Sequence, residues 1–423
     1  MGNAACGWTG SALALVLVTS AAPAAATGMI GHIYVSELAL ERLPAGELRS
    51  VLEERQSLWE NGSFFPDSGY AAGDPYGELA HWAEFVEAYL QWIRSNHTPP
   101  YTTGGAADHV AVLMGAASHG MVDQTFDILF WDRVAAVDGD ASELDTGMDA
   151  WLVADRDRHA AEGVHIDAVA LAELFGTHLD HVVTPTTIAE GMDTAIMGQK
   201  VVELMLAPGD KFRDDMPWGA GSYLDPEVPG SYPWSAEVVW RYWQNLWRRL
   251  HGDLDLAESV IGTHPSSAGP RLAVNHESLD SYVTVFVGHG IDRDSIDAQT
   301  VRVEEADGQV VPTQIRLRGD RWAGTIQLQP MGDWAYETTY SLIVEQVVTL
   351  NGEPLTSPFR LDFRTECAPG NEAACSPPDP APPTAVGEGS EGCQMATSAP
   401  PGLPWWLLTT GAPLLLRRFR RRR

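Results

Sequence analysis

The sequence predicts a multidomain protein: a mainly all-α domain followed by a small β-sandwich. Three observations carry that prediction. Between Met29 and about Val260, apolar residues recur at intervals of three and four, the period of helices buried on one face. From about Pro265 to Glu366 the pattern becomes short β-rich runs broken by Gly, Asp and Asn. Both ends differ in composition from this body.

The helical stretches are HIYVSELALERL, ELRSVLEERQSLWE, ELAHWAEFVEAYLQWIRS, HVAVLMGAASHGMVDQTFDILF and AEVVWRYWQNLWRRLHGDL. No comparable alternation interrupts them, so residues 29–260 read as one helical domain. The runs YVTVFVGHG, TVRVEEADG, PTQIRL, WAGTIQLQP, YSLIVEQVVTLNG and FRLDFRTE follow at the spacing expected of a sandwich over residues 265–366. That domain reads as a spacer without chemistry of its own, since function has to be argued from a site.

Residues 1–26 read as a signal peptide. Ser11 to Ala26 is apolar and small, and Ala24, Ala25 and Ala26 supply the small residues of a cleavage site, although no Lys or Arg precedes them. A buried N-terminal helix is the other reading. Residues 367–400 are a Pro/Gly-rich linker, at whose start Cys367 and Cys375 are close enough in sequence to pair. Residues 401–423 join the apolar LPWWLLTTGAPLLL to an Arg cluster, short for a full span but suited to a membrane interface with its cations on the cytoplasmic side.

Charge narrows the function. The 423 residues carry 27 Lys and Arg against 57 Asp and Glu, a net charge of −30. Six of those cations are Arg417, Arg418, Arg420, Arg421, Arg422 and Arg423; setting them aside leaves 21 cations against the same 57 carboxylates. Such a body is poorly suited to hold duplex nucleic acid, whose phosphates are gripped by Lys and Arg. With 44% hydrophobic residues and 15 Trp it has ample apolar surface for a core.

Candidate ligands concentrate in the helical domain. In GAASHGMVDQTFD, His119, Asp123 and Asp127 are spaced by four and share one face of a predicted helix. Burying such groups in an apolar helix is costly unless they are paired or hold a metal. Asp145 and Asp149 repeat the spacing in SELDTGMDAWLV. His32 lies near the start of the helical domain. Asp67 sits in SFFPDSGY, where Pro66 and Gly69 predict a loop, and His81 begins the HWAEF helix. Each motif alone has a plain alternative: a surface ion pair, a turn residue or helix-surface charge. The weight rests on the set, and imidazole with carboxylate suits Zn²⁺.

The segments GHIYVSELAL, FPDSGY, AHWAEF and LMGAASHGMVDQTFD, in this order, resemble the zinc-dependent phospholipase C family, especially the N-terminal catalytic domains of glycosylphosphatidylinositol-specific phospholipases D. The resemblance covers roughly Met29 to Val153 and fades towards Val260. It implies an all-helical fold like that of the fungal single-strand-specific zinc nucleases, two or three zinc ions, and hydrolysis of phosphodiesters. His32, His81 and the His119–Asp123 pair fall on family ligand positions. Asp67 falls on the family's loop carboxylate near the metals, implying a ligand and general base. Two positions depart: Asp127 and Asp145 stand where the family usually has His. Carboxylates at those places favour Mn²⁺, Mg²⁺ or Ca²⁺ alongside zinc. Among the nearby His109, His159, His165, His178 and His181, the pair His178 and His181 offers replacement ligands or ordinary helix-surface residues.

Two further resemblances bear on the rest of the chain. LNGEPLTSPFRLDFRT is similar to the ends of bacterial Ig-like domains, and Gly392–Cys393 with the apolar segment and Arg tail resembles a MYXO-CTERM sorting tail. Together they imply an exported protein, secreted or held at the cell surface. The expected substrate is a phospholipid at a membrane surface, cleaved in C- or D-type fashion. The Trp-rich PWSAEVVWRYWQNLW offers lipid contacts or, by its helical spacing, core. A secreted single-strand nuclease and a non-catalytic metal-binding adhesion protein are the alternatives.

Overall fold

The computed structural model describes residues 27–204, 206–252, 259–266, 271–317, 324–354 and 357–371. The signal-peptide segment 1–26, Cys375, Cys393 and the tail 401–423 lie outside the described residues. Cys367 is disulfide-bonded.

Helices fill the first part: α1 (Met29–Arg42), α2 (Glu47–Glu54), α3 (Gln56–Ala72), α4 (Tyr76–Ala80), α5 (Ala83–Asn96), α6 (Gly104–Thr125), a π-helical segment (Phe126–Trp131), α7 (Asp132–Asp138), α8 (Leu144–Arg156), α9 (Ala168–His178), α10 (Pro185–Leu204), α11 (Leu206–Asp215), α12 (Pro217–Ser222) and α13 (Tyr232–His251). Start and stop signals are local. Ser231 caps α13 by accepting from the Trp234 N–H, Pro233 occupies its first turn, and Gly252 ends it at φ 79°.

The centre of the domain is α6. It is apolar on nearly every face, so it can be stable only where other helices surround it. Its closest partner is α3. A side chain at Gly115 would stand 2.2 Å from the Trp59 carbonyl oxygen, and one at Gly62 would stand 2.4 Å from that of Val112. The two backbones therefore touch, which any larger residue would prevent. Helix α1 joins them through hydroxyls: Ser36 Oγ lies 2.8 Å from Ser63 Oγ and 2.7 Å from Ser118 Oγ. Ser36 is four residues after His32 and Ser63 four before Asp67, so this buried cluster sets the register of three helices one turn below those side chains. Trp243 of α13 is fully buried and donates from Nε1 to the Met114 carbonyl at 2.7 Å, while Trp234, Trp240 and Trp247 pack partly buried on the same core. Helical spacing in the Trp-rich segment thus serves packing.

Among the described residues eight strands follow: β1 (Val260–His264), β2 (Val283–Val287), β3 (Val301–Glu305), β4 (Val310–Val311), β5 (Thr313–Leu317), β6 (Thr325–Pro330), β7 (Thr339–Val344) and β8 (Phe359–Arg364). They form two antiparallel four-stranded sheets in the orders β1-β2-β6-β5 and β4-β3-β7-β8. Val283, Val285, Ile326 and Leu328 of one sheet share a core with Val301, Val303, Leu342 and Val344 of the other. The β region begins at Val260, earlier than the Pro265 expected from composition, because β1 pairs along β2 with Gly262 opposite Phe286.

The sandwich packs directly against the helical domain. Both belong to one compact unit. Ile261 and Phe286 are buried in the helical core, and the Phe286 ring meets that of Trp234 edge-on at 5.8 Å. Arg133 reaches Asp280 at 2.6 Å. Buried Arg249 pairs with Glu87 of α5 and donates to the Gly288 carbonyl at 3.0 Å. Thr325 of β6 donates to the side-chain oxygen of Gln124, the neighbour of Asp123. Among the described residues no helix is long and apolar enough to cross a membrane.

Candidate metal centre

Five of the eight predicted residues meet in one place. His32 comes from α1, Asp67 from α3, His81 from the turn between α4 and α5, and His119 and Asp123 from α6. His32 and His119 rings stack at 3.7 Å between centroids, and His81 meets His119 edge-on at 4.6 Å. Asp123 bridges all three imidazoles: its Oδ1 lies 3.2 Å from His32 Nε2, and its Oδ2 lies 3.3 Å from His119 Nε2 and 3.8 Å from His81 Nε2. Asp67 Oδ1 lies 3.5 Å from His81 Nε2 and 3.9 Å from His119 Nε2.

Asp67 departs from its expected loop and lies within α3, with Pro66 inside the helix. An internal proline removes one helical hydrogen bond without ending a helix that is packed on both sides. Gly69, which suggested a turn, serves a close approach instead: a side chain there would stand 2.2 Å from the backbone of Gly77. That contact lets α4 lie on α3 and brings His81 to Asp67. His81 itself caps the end of α4, ahead of α5, which starts at Ala83.

Backbone carbonyls aim the rings. His119 Nδ1 donates to Ser63 O at 2.8 Å, and His81 Nδ1 donates to Gly77 O at 2.6 Å. Both Nε2 atoms thereby face the carboxylates, the orientation second-sphere bonds impose on metal-binding imidazoles. His32 and His119 are fully buried, and apart from the Asp123 carboxylate, 3.2 Å and 3.3 Å away and poorly aligned for a hydrogen bond, neither ring nitrogen of His32 nor Nε2 of His119 has a partner.

The electrostatics are those of ionised ligands. Burial alone would raise Asp123, but His119 and His32 hold its carboxyl well below the usual range. Asp67 is lowered in the same way, chiefly by His119 and His81 against the penalty of burial. Burial pulls the His81 imidazole down, but Asp67 and Asp123 carry it up to about 9. Burial and the nearby His32 depress His119. Each of two sets, His32–Asp67–His119 and His81–His119–Asp123, has ligand atoms within 4.8 Å of one another. Orphaned buried imidazole nitrogens facing ionised carboxylates fit Zn²⁺ or a similar divalent ion.

The other three predicted residues belong to neither set. Asp127 falls in the π-helical segment and belongs to neither set. Asp149 turns its carboxylate to the start of α1, accepting from the Ile30 N–H at 3.1 Å and the Gly31 N–H at 2.8 Å. It caps that helix from a distance, and burial pushes its pKa up to about 7 despite those bonds. Asp145, one turn earlier on α8, is half-buried and raised by burial. None of the additional histidines joins the site. His181 pairs with Asp74 at 2.7 Å, His109 bonds Tyr89, His165 is exposed, and His159 lies by Asp157 and Glu203. His178 ends α9.

Sequence reasoning missed three neighbours. The Thr27 N–H reaches Asp123 Oδ1 at 3.2 Å. The Tyr70 ring stands 5.0 Å from that of His81, and its hydroxyl donates to Glu78 at 2.7 Å. Tyr232 is buried with an unpartnered hydroxyl over Gly31. Only Tyr70 carried a signal, since it is three residues after Asp67 and shares its face once that segment is helical.

No family model matches the chain. Part of it is similar to phosphatidylinositol-glycan-specific phospholipase D: 29% identical over 139 residues to the Mus musculus protein and 31% over 126 residues to the Bos taurus protein. Those stretches are 30% and 26% of this chain but only 16% and 15% of the relatives' own lengths. Among solved structures, the S-layer protein SbsC is matched over 76% of this chain and 46% of its own, at a TM-score of 0.21 and 9% identity, which carries no inference about fold or role. The similarity points to a domain related to phospholipases.

Proposed function

We propose that this chain is a metal-dependent phosphoric diester hydrolase acting on phospholipids, in C- or D-type fashion. The carrying observation is the convergence of His32, Asp67, His81, His119 and Asp123, with buried imidazole nitrogens that have no other partner. The three imidazoles and two carboxylates would hold zinc, two or three ions, with Mn²⁺, Mg²⁺ or Ca²⁺ as substitutes. When bound, such ions lower the pKa of water and neutralise phosphoryl oxygens. Among the described residues no Lys or Arg pairs with these five side chains.

The residues divide the remaining work. Asp67, ionised and 3.5 Å from His81 Nε2, accepts the proton of the attacking water. Asp123 holds the three rings together. Ser63 and Gly77 carbonyls keep both Nε2 atoms turned inward. The Tyr70 ring walls the site beside His81.

The Ig-like reading of the sandwich is supported by its strand order, first-second-sixth-fifth against fourth-third-seventh-eighth, which is the pairing order of immunoglobulin-type sandwiches. Export, by a signal peptide over 1–26 and a sorting tail over 401–423, completes the proposal.

The test is metal analysis of the purified chain, with assays for headgroup release from phosphatidylcholine and nucleotide release from single-stranded DNA. We expect bound zinc and phospholipid hydrolysis. Nucleotide release alone would select the nuclease, and full metal loading without either activity would leave a non-catalytic metal protein.

A further inference from the structure

The last turn of α6 carries Asp123, the carboxylate that bridges the three imidazoles, and side-chain bonds to two other elements hold that turn in place. Gln124 is 6% exposed and donates from Nε2 to the Gly120 carbonyl at 2.7 Å. Its Oε1 accepts from the hydroxyl of Thr325 on β6, which is 1% exposed. Both ends of the buried amide are therefore used, which fixes its orientation. The next residue, Thr125, lies 2.8 Å from Ser235 Oγ of α13. Beyond it, at Phe126, the backbone turns π-helical.

The connection runs on to His81. A side chain at Gly120 would stand 2.5 Å from the His81 carbonyl oxygen, so α6 and the turn bearing His81 touch through backbone there. His119 precedes Gly120 and Asp123 precedes Gln124, so this line of contacts passes beside three of the five converging residues. Its far end is firmly held. β6 is an interior strand of its sheet, and Thr325 stands opposite Phe286, whose side chain is buried in the helical core. The Gly324 carbonyl accepts from the Val287 N–H at 2.7 Å. A hydroxyl buried on a strand paired on both sides is a rigid point from which to set a neighbour.

We propose that Thr325, acting through Gln124, is a positioning residue of the metal centre, so that the β-sandwich sets the placement of His81, His119 and Asp123. This rests on the metal-dependent reading and extends the candidate site to a residue of the second domain. A bond that served only to hold the two domains together would affect stability and leave the metal untouched. Second-sphere partners of metal ligands instead tune affinity and coordination geometry.

The test titrates the metal-free full chain with Co²⁺ and follows visible absorption, which reports ligand geometry as well as occupancy. Thr325→Val keeps the shape, removes the donor and leaves the Gln124 oxygen unpaired. It should weaken Co²⁺ binding by about tenfold and shift the absorption band. Thr325→Ser restores the hydroxyl and should return both to the wild-type values. Thr325→Cys, close in shape with a weak donor, answers the same question if the valine variant does not fold. The control is Thr284→Val, which removes another buried hydroxyl of the same sheet, approached by Gln327 Nε2 at 3.5 Å. It should lower the urea midpoint and leave the Co²⁺ titration unchanged. An unaltered affinity and spectrum in Thr325→Val, an equal change in Thr284→Val, or no recovery in Thr325→Ser would overturn the proposal. If the wild-type chain takes up neither Co²⁺ nor Zn²⁺, the metal reading itself falls and the positioning role with it. Wild-type binding that Thr325→Val does not disturb removes the positioning role alone.

Discussion

Two buried histidines at the join between helices and sandwich should make stability depend steeply on acid. His264 of β1 and His289, just beyond β2, are each 5% exposed. Burial, reinforced by Arg133, pushes His264 down to about 3; burial, reinforced by Arg249, pushes His289 down to about 2. Both cations already serve the interface, Arg133 to Asp280 and Arg249 to Glu87. The ordinary value is 6.5, so below it the unfolded chain takes up two protons that the folded chain refuses. Stability from these groups is complete above 6.5 and lost as pH falls. Each histidine contributes a loss of about 1.4 kcal/mol per pH unit, about 2.8 kcal/mol for the pair. Urea unfolding, followed by Trp fluorescence at a series of pH values below 6.5, measures it. His264→Gln and His289→Gln should each remove about 1.4 kcal/mol per unit from the slope. Comparing variants with wild type cancels the other titrating groups. Unchanged slopes in both variants would refute the argument that these rings are held neutral.

Other consequences follow from the same geometry. His119→Ala should abolish stoichiometric metal binding, read by calorimetric titration of the metal-free protein, and activity with it. Asp67→Asn should keep metal in the His81–His119–Asp123 set while lowering kcat by about 10²-fold or more; loss of all metal instead would make Asp67 chiefly a ligand. Arg249→Met strands Glu87 in the interface and should cost about 3–5 kcal/mol in urea unfolding, with much of it restored by adding Glu87→Met. Gly115→Ala forces α6 away from α3 and should destabilise by about 1–3 kcal/mol, with weakened metal affinity because Asp67 and His119 sit across that crossing.

Much of the architecture is legible in the sequence. The three-to-four period marked α1, α5, α6 and α13, and the β-rich runs marked β2, β3, β5, β6, β7 and β8, because one buried face imposes its own repeat on each element. The reading failed where packing overrode a local preference. Pro66 and Gly69 predict a turn, yet α3 runs through both because Gly69 is needed small against Gly77. The spacing of four that joined Asp127 to Asp123 holds only for an α-helix, and the chain turns π-helical at Phe126.

By itself, the sequence determined which residues are chemically able to hold a metal, and that they lie in a helical domain ahead of a β domain. Those facts depend on residue type and periodicity, which are local. The tertiary structure alone decided which candidates share a site. His32 and His119 are 87 positions apart and stack because α1 and α6 cross beside a serine cluster. Asp149 has the same chemistry as Asp123 but spends its lone pairs on the first turn of α1. Distance between segments is set by close packing and by which backbone groups need a partner, and neither is written in a spacing.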